Sequence, residues 1–294
     1  MPALKGICPV LPTPFLSNCE IDFSSLRRLT AFVRRAGASG VATLGVASEY
    51  WKLTEAERTQ LVEAVAEAAE GAVPVVAGAG GDSVHVAVHH ARLVQRAGAS
   101  ILMVMPPLPF RLAAQAVVDY YRAISDACGL PIIVQDTSAM GVNQMSVALL
   151  ERLAREVPRV QYAKVETTPA GPKITALRPC AGLTLLSGNG AINILDALDR
   201  GVDGVMPGAD LTEWFVRIWE HFQSGRLEEA MAAHRRILPL LALECQSAEA
   251  FAAITKQVLF VKGLIATPAV RPPAGYQVDE LTARQVSAWA RELD

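Results

Sequence analysis

Arg35-Ala36-Gly37-Ala38-Ser39 and Arg96-Ala97-Gly98-Ala99-Ser100 are one joint written twice. Each closes an amphipathic stretch and opens an apolar, β-rich one, with glycine where a helix C-terminus favours it. Arg200-Gly201-Val202-Asp203-Gly204 repeats the joint more loosely. Working outward, strands are expected near residues 7–10, 40–44, 73–77, 101–105, 131–135, 160–165, 183–186 and 204–206. Helical patterns fill the intervals at 24–36, 54–69, 83–97, 113–127, 146–156, a short 175–177, 192–200 and 211–224. Thr54 and Glu57 have capping-box spacing. Leu26, Leu29, Phe32 and Val33 form an i, i+3, i+4 stripe that suits packing on a sheet. The strands read as continuous apolar runs, as when both faces are covered. Eight such units predict a (β/α)₈ TIM barrel in preference to an open doubly wound sheet.

After residue 206 the alternation stops. Helical patterns at 227–243, 248–264 and 281–293 follow, broken by a proline-rich stretch at 268–273. The expected organisation is a barrel over 1–224 with C-terminal helices, 225–294, packed on it as one structural unit. The chain has 294 residues, 51% of them hydrophobic, so a large core is expected. No apolar run reaches the roughly 20 residues that span a bilayer. The opening residues, interrupted by Pro2, Pro9, Pro12 and Pro14, have neither signal- nor transit-peptide character. These features suggest a cytoplasmic protein. A formal charge of −2, with both signs interspersed, gives no footprint for nucleic acid or a membrane surface. Cys8, Cys19, Cys128, Cys180 and Cys245 have no metal-ligand spacing and read as reduced thiols.

Active sites of such barrels form at the strand C-termini. In the sixth strand, Val160-Gln-Tyr-Ala-Lys-Val-Glu166, alternation puts Tyr162, Lys164 and Glu166 on one face. A lysine facing inward among apolar walls loses solvation of its charged form and becomes a nucleophile toward a carbonyl. The alternative is a lysine snorkelling from the strand end to water. The loop after strand two, Gly45-Val46-Ala47-Ser48-Glu49, offers N–H groups and a hydroxyl to a carboxylate. Glu49 is either an acid–base group or a brace for that loop. Gln135 and Asp136 at strand five, Ser187-Gly188-Asn189 at strand seven and Pro207 at strand eight complete the candidate set. Each also has a plain reading as turn chemistry. His85 and His89, with His90 adjacent, have helical i, i+4 spacing but no HExxH and no nearby cysteine, so no metal is expected. Gly78-Ala-Gly-Gly-Asp82 lacks the rest of a phosphate loop.

Together, Gly6-Ile-Cys-Pro-Val-Leu-Pro-Thr-Pro-Phe15, Gly45-x-x-Ser-Glu49, Val104-Met-Pro-Pro107, the strand ending at Asp136, Lys164 and Ser187-Gly-Asn-Gly190 resemble the dihydrodipicolinate synthase and N-acetylneuraminate lyase family. The likeness runs from about residue 5 to the C-terminal helices. It implies a barrel with C-terminal helices in a homo-oligomer, tetramer or dimer. It also implies a Schiff-base role for Lys164 and carboxylate binding by the Gly45–Glu49 segment. Three relay hydroxyls of that family are missing. Counting back from Gly141, the strand-five tyrosine reads Val134; the loop threonine reads Val46; the tyrosine lent by a neighbouring subunit reads Leu108. An arginine expected between Thr137 and Asn143 is also absent. Ser48-Glu49, Val104-Met-Pro-Pro107, Val134-Gln-Asp136 and Lys164-Val-Glu-Thr167 look more like the branch that dehydrates 2-keto-3-deoxy sugar acids.

The resemblance therefore implies a cofactor-free lyase whose small-molecule substrate is a 2-keto acid. An imine on Lys164 would act as the electron sink. Glu166 is the first candidate for proton handling, with Asp136, Gln135 through water, and Glu49 as alternatives. The same imine supports retro-aldol cleavage to pyruvate or synthesis of dihydrodipicolinate. A non-catalytic keto-acid-binding relative is the reading from a different class.

Overall fold

The computed structural model describes residues 4–138 and 144–293. Eight parallel strands form its sheet: β1 (Gly6–Ile7), β2 (Val41–Thr43), β3 (Val75–Gly78), β4 (Ile101–Val104), β5 (Ile132–Thr137), β6 (Val160–Glu166), β7 (Thr184–Ser187) and β8 (Gly204–Val205). Their order is β1-β8-β7-β6-β5-β4-β3-β2. The sheet closes through Val10, which bridges Ala42 on one side and Gly208 on the other. Leu11 N–H donates to the Ala42 carbonyl, and Ala42 N–H to Pro9, each at 2.8 Å. The first strand is shorter than the apolar run predicts. Pro9 has no N–H to give to a ladder, so β1 stops before it and pairing resumes at Val10.

Helices α1 (Phe23–Arg35), α2 (Glu55–Ala69), α3 (Val84–Arg96), α4 (Ala114–Ala127), α5 (Val147–Glu156), α6 (Gly171–Leu177), α7 (Ile194–Asp199) and α8 (Thr212–Gln223) follow the strands in turn. Four of the six longer ones begin where the sequence supplies a cap: Asp22, Thr54, Ser83 and Ser146 each accept from a first-turn N–H. Thr54 and Glu57 complete the reciprocal capping box. Then come α9 (Leu227–Glu244), α10 (Ala248–Val261) and α11 (Glu280–Arg291). No described helix is long and apolar enough to cross a membrane.

Two apolar layers result from strand alternation. The outer one lies between strands and helices and includes Val104, Val134, Ala163, Val165, Leu185 and Val205. The inner one fills the barrel with Cys8, Val10, Ala42, Ala47, Val76, Met103, Ile133, Tyr162, Leu186 and Met206. The register slips between Ile132 and Ile133, which pair with Val160 and Tyr162. Gln161 is the unpaired extra residue of this bulge. It lets Val160 pack outward and Tyr162 inward, and from Tyr162 on the parity is regular. At Gly78 the Leu44 carbonyl oxygen would lie 1.9 Å from a Cβ, so only glycine fits.

The segment after α10 returns across the strand-C-terminal end of the barrel. Arg271 donates to both oxygens of Glu57, at 2.6 and 2.9 Å, and to the carbonyls of Cys19 and Lys52. The Arg271 hydrogen bonds are the main reason that the Glu57 carboxyl is held down at about 2. A depressed carboxyl stabilises the fold above its unfolded value and loses that contribution as pH falls through its folded value. Unfolding by urea is therefore expected to show an acid limb between about pH 5 and 2. Glu57→Gln should flatten it, and an unchanged limb would remove this pair from the account.

Candidate active site

Lys164 and Glu166 both point into the barrel mouth and both are buried. Lys164 Nζ lies 3.0 Å from Glu166 Oε1. Burying an ammonium is tolerable only with a partner of opposite charge and further hydrogen bonds. Glu166 supplies the partner and is itself held on both oxygens. Gln135 Nε2 donates to Oε2 at 2.7 Å, and the Asn189 N–H donates to Oε1 at 3.1 Å. Gln135 stands directly beside Lys164 in the β5–β6 register. Gly188 completes the seat, because a Cβ there would fall 2.1 Å from Glu166 Oε1. Asn189, Gly190 and Ala191 are left-handed in succession, which turns the chain back so that the Asn189 N–H faces the carboxylate.

The loop after β2 caps the barrel interior. A Cβ on Gly45 would meet Val10 and Met103 of the inner layer, and Ala47 packs there. Val46–Ser48 forms a 3₁₀ turn. Its first two N–H groups, of Val46 and Ala47, have no partner within the turn. The Ser48 hydroxyl is committed elsewhere: it donates to the Leu11 carbonyl at 2.6 Å and accepts the Gly45 N–H at 3.3 Å. Glu49 is buried and left-handed, with φ 53°. It pairs with Lys52 at 2.7 Å and with the fully buried Lys256. The bracing alternative for Glu49 is the one this geometry favours.

Several candidates lie elsewhere. Asp136 is buried on the outer side of β5, where Lys173 Nζ donates to it at 2.7 Å and the Met145 N–H at 3.0 Å. Alternation separates it from Gln135, so it does not join Lys164. Ser187 stands level with Val165 and Val205 of the outer layer, on the parity opposite to Leu186. Pro207 offers only a carbonyl, which takes the Val10 N–H at 2.8 Å in barrel closure. Val134, matched above to a relay tyrosine, packs in the outer layer; the inward place at the level of Lys164 belongs to Gln135. Gly141, from which that count starts, lies outside the described residues. Leu108 lines the mouth, its N–H bonded to Asp82 at 3.0 Å.

Composition and periodicity gave no sign of a cavity of about 350 Å³ that opens beside Gln135, lined by Leu44, Tyr50, Arg58, Gly80, His90 and Met105 among others. His90 Nδ1 donates to the Gly80 carbonyl at 2.8 Å, and burial holds its imidazole below the usual value. Burial also pushes the Cys8 thiol up to about 12, so this neighbour of Lys164 stays protonated and inert. A larger groove of about 500 Å³ lies outside the barrel between α1 and α2 and holds none of these groups. His89 faces Glu55 at 3.3 Å. Among the described residues no three His, Cys, Asp or Glu side chains are grouped to hold a metal.

The pattern of the dihydrodipicolinate synthetase family matches residues 3–292. An L-2-keto-3-deoxyarabonate dehydratase of Azospirillum brasilense is 32% identical over 299 aligned positions, covering 100% of this chain and 96% of that protein. A 4-hydroxy-tetrahydrodipicolinate synthase of Chlorobium chlorochromatii is 30% identical, with 82% of each chain covered. The dihydrodipicolinate synthase structure from Rhodopseudomonas palustris superposes with a TM-score of 0.90 at 27% identity, over 98% of this chain and 97% of its own. YagE of E. coli K12, solved with pyruvate, reaches a TM-score of 0.90 over 99% of both chains at 21% identity, which speaks to the fold alone.

Gly188→Ala is expected to push the Glu166 carboxylate away from Lys164 and Asn189. Breaking a buried ion pair this way should cost about 3 kcal/mol in urea unfolding. A variant as stable as the parent would mean that the carboxylate has somewhere else to go.

Proposed function

The chain belongs to the dihydrodipicolinate synthetase family, and from that premise we propose that it dehydrates a 2-keto-3-deoxy sugar acid through an imine on Lys164. The observation that carries this reading is the buried Lys164–Glu166 contact at 3.0 Å, with Gln135 on the second carboxylate oxygen. A lysine amine attacks a ketone only after losing its proton, and Glu166 is placed to take it.

On this route Nζ attacks C2, and the carbinolamine hydroxyl leaves as water with the proton that Glu166 took from the amine, which forms the iminium and frees the carboxylate. The C3 proton passes to Glu166, and its electron pair forms the C2–C3 double bond of an enamine. Those electrons then expel the C4 hydroxyl, which leaves as water with the proton from Glu166. Tautomerisation and hydrolysis by one water release the product and restore the amine. The balance is loss of one water, giving a 2-oxo acid semialdehyde from a pentonate. Because the iminium is the electron sink, the route uses no cofactor. The substrate carboxylate meets the N–H groups of Val46 and Ala47, fixed dipoles at the start of the 3₁₀ turn.

Dehydration is preferred over the family's other reactions because no relay hydroxyl stands at the matched places, where β5 turns Gln135 inward and the loops carry Val46 and Leu108, while a carboxylate stands next to the amine. The full-length likeness to a protein named as a 2-keto-3-deoxyarabonate dehydratase supports the same choice.

Borohydride reduction with 2-keto-3-deoxy sugar acids and with pyruvate, followed by peptide mass spectrometry, tests the imine. A secondary-amine adduct on Lys164 is expected, and none in Lys164→Ala. Turnover should yield a semialdehyde; pyruvate plus an aldehyde would instead establish aldol cleavage. Glu166→Gln should lower kcat by about 10²- to 10⁴-fold, the range for loss of a general acid–base. Full turnover by Lys164→Ala would overturn the proposal.

A further inference from the structure

Lys256 is fully buried in α10, and none of the steps proposed for Lys164 involves it. Its ammonium contacts Glu49, donates to the Ala269 carbonyl at 3.0 Å, and lies 4.4 Å from the centre of the Phe15 ring. Desolvating an ammonium is costly, and an apolar side chain would fill the same space without that cost. Beyond its contacts with Ala269 and Phe15, what the charge does here is hold Glu49.

Glu49 is where two 3₁₀ turns meet, Val46–Ser48 before it and Tyr50–Lys52 after it. It is a left-handed residue that is not glycine, a conformation that costs energy and persists only when its surroundings impose it. Leu44, at the other end of the Gly45–Ser48 segment, is also left-handed. The turn carrying the Val46 and Ala47 N–H groups is thus strung between two strained joints. Lys256 fixes one of them from a helix that lies outside the barrel's eight βα units. Lys52 fixes the other Glu49 oxygen and donates to the Arg271 carbonyl at 2.6 Å.

We propose that Lys256 is a positioning residue for substrate recognition: by clamping Glu49, it aims the Val46–Ala47 N–H groups at the carboxylate of the 2-keto acid. This rests on the reading of Lys164 as an imine-forming amine. It adds that carboxylate recognition, as distinct from ketone capture, is set by the C-terminal helices. The charged groups facing Lys256 are Glu49, Lys52 and Arg271. Burial outweighs the Glu49 attraction and brings the Lys256 amine down to about 8. Below that value the clamp is charged; above it the amine is neutral and the hold on Glu49 weakens.

The test compares two probes with the same ketone: pyruvate, which has a carboxylate, and pyruvamide, which is neutral. Each is trapped on the full-length chain with borohydride, and the half-saturating concentration is measured. In Lys256→Met the value for pyruvate should rise about tenfold while that for pyruvamide changes less than about twofold, as when uniform binding to one substrate group is lost. A purely structural role would move both probes together or neither, and either result overturns the proposal. Should that variant fold poorly, the parent chain supplies the second measurement. The ratio of pyruvate to pyruvamide half-saturation should climb between about pH 7 and 9, and a flat ratio overturns the clamp. Any pH dependence of ketone capture itself is common to both probes and cancels in that ratio. A parent chain that traps neither probe would defeat the imine reading itself, an outcome distinct from trapping without discrimination.

Discussion

An ammonium group inside a barrel has to be met by a carboxylate, and that carboxylate has to be kept from moving off to water. This requirement organises the residues around Lys164. Glu166 is two residues on, so alternation alone puts both on one face of β6. Alternation does not hold the carboxylate still. Gln135 from β5 takes one oxygen and the Asn189 N–H takes the other. Gly188 leaves the volume that the carboxylate occupies. Three strands therefore contribute to one ion pair, and the bulge at Gln161 sets which residues of β6 face it.

A second constraint comes from the chain's C-terminal part. Phe15 is flanked by two cations, Lys256 and Arg271, each 4.4 Å from its ring centre. Arg271 ties itself to Glu57, Cys19 and Lys52, while Lys256 ties itself to Glu49. The loops after β1 and β2 are thus pinned by residues far along the sequence, on segments that the barrel topology itself does not require. Loops positioned by a rigid frame can afford strained backbone, and Leu44 and Glu49 show where it is stored.

The fold was legible because its signals are periodic and local. The two Arg-Ala-Gly-Ala-Ser joints, the caps at Thr54, Ser83 and Ser146, and the covered-strand composition all pointed to βα units. The first strand stops short where Pro9 interrupts its ladder, while the fifth runs on to Thr137, two residues past the apolar run. Which side chains share the barrel interior was legible where parity was applied, as for Lys164 and Glu166 on β6. Nearness to a strand end says less than parity about which side a residue takes. Asp136 and Ser187 are polar and at strand ends, yet they fall on the outer side. The Ser48 hydroxyl and the Pro207 carbonyl are engaged by backbone, one on the Leu11 carbonyl and one in closing the barrel. Lys256 was not singled out at all, although a lysine in the apolar run of α10 is a visible anomaly. Its meaning depends on Glu49, and no spacing rule links residues on a βα loop to a helix beyond the barrel.

The presence of a carboxylate in place of relay hydroxyls bears on which reaction the proposed imine would serve. A hydroxyl relay passes protons along but does not keep one, which suits chemistry where acceptor and donor are separate partners. A carboxylate can retain the proton between two steps. In the proposed dehydration those steps are removal of the C3 proton and departure of the C4 hydroxyl, and the second needs a donor at a carbon next to the first. Glu166 would be protonated by the first step just when the second requires it. Gln135 cannot take part as an acid or base, since an amide has no usable proton at neutral pH. Its amide donates to the far oxygen of Glu166, which leaves the near oxygen facing Lys164 as the one placed to act. In the proposed route a single carboxylate oxygen, oriented by an amide on the adjacent strand, would do the work that separate hydroxyls share in a relay.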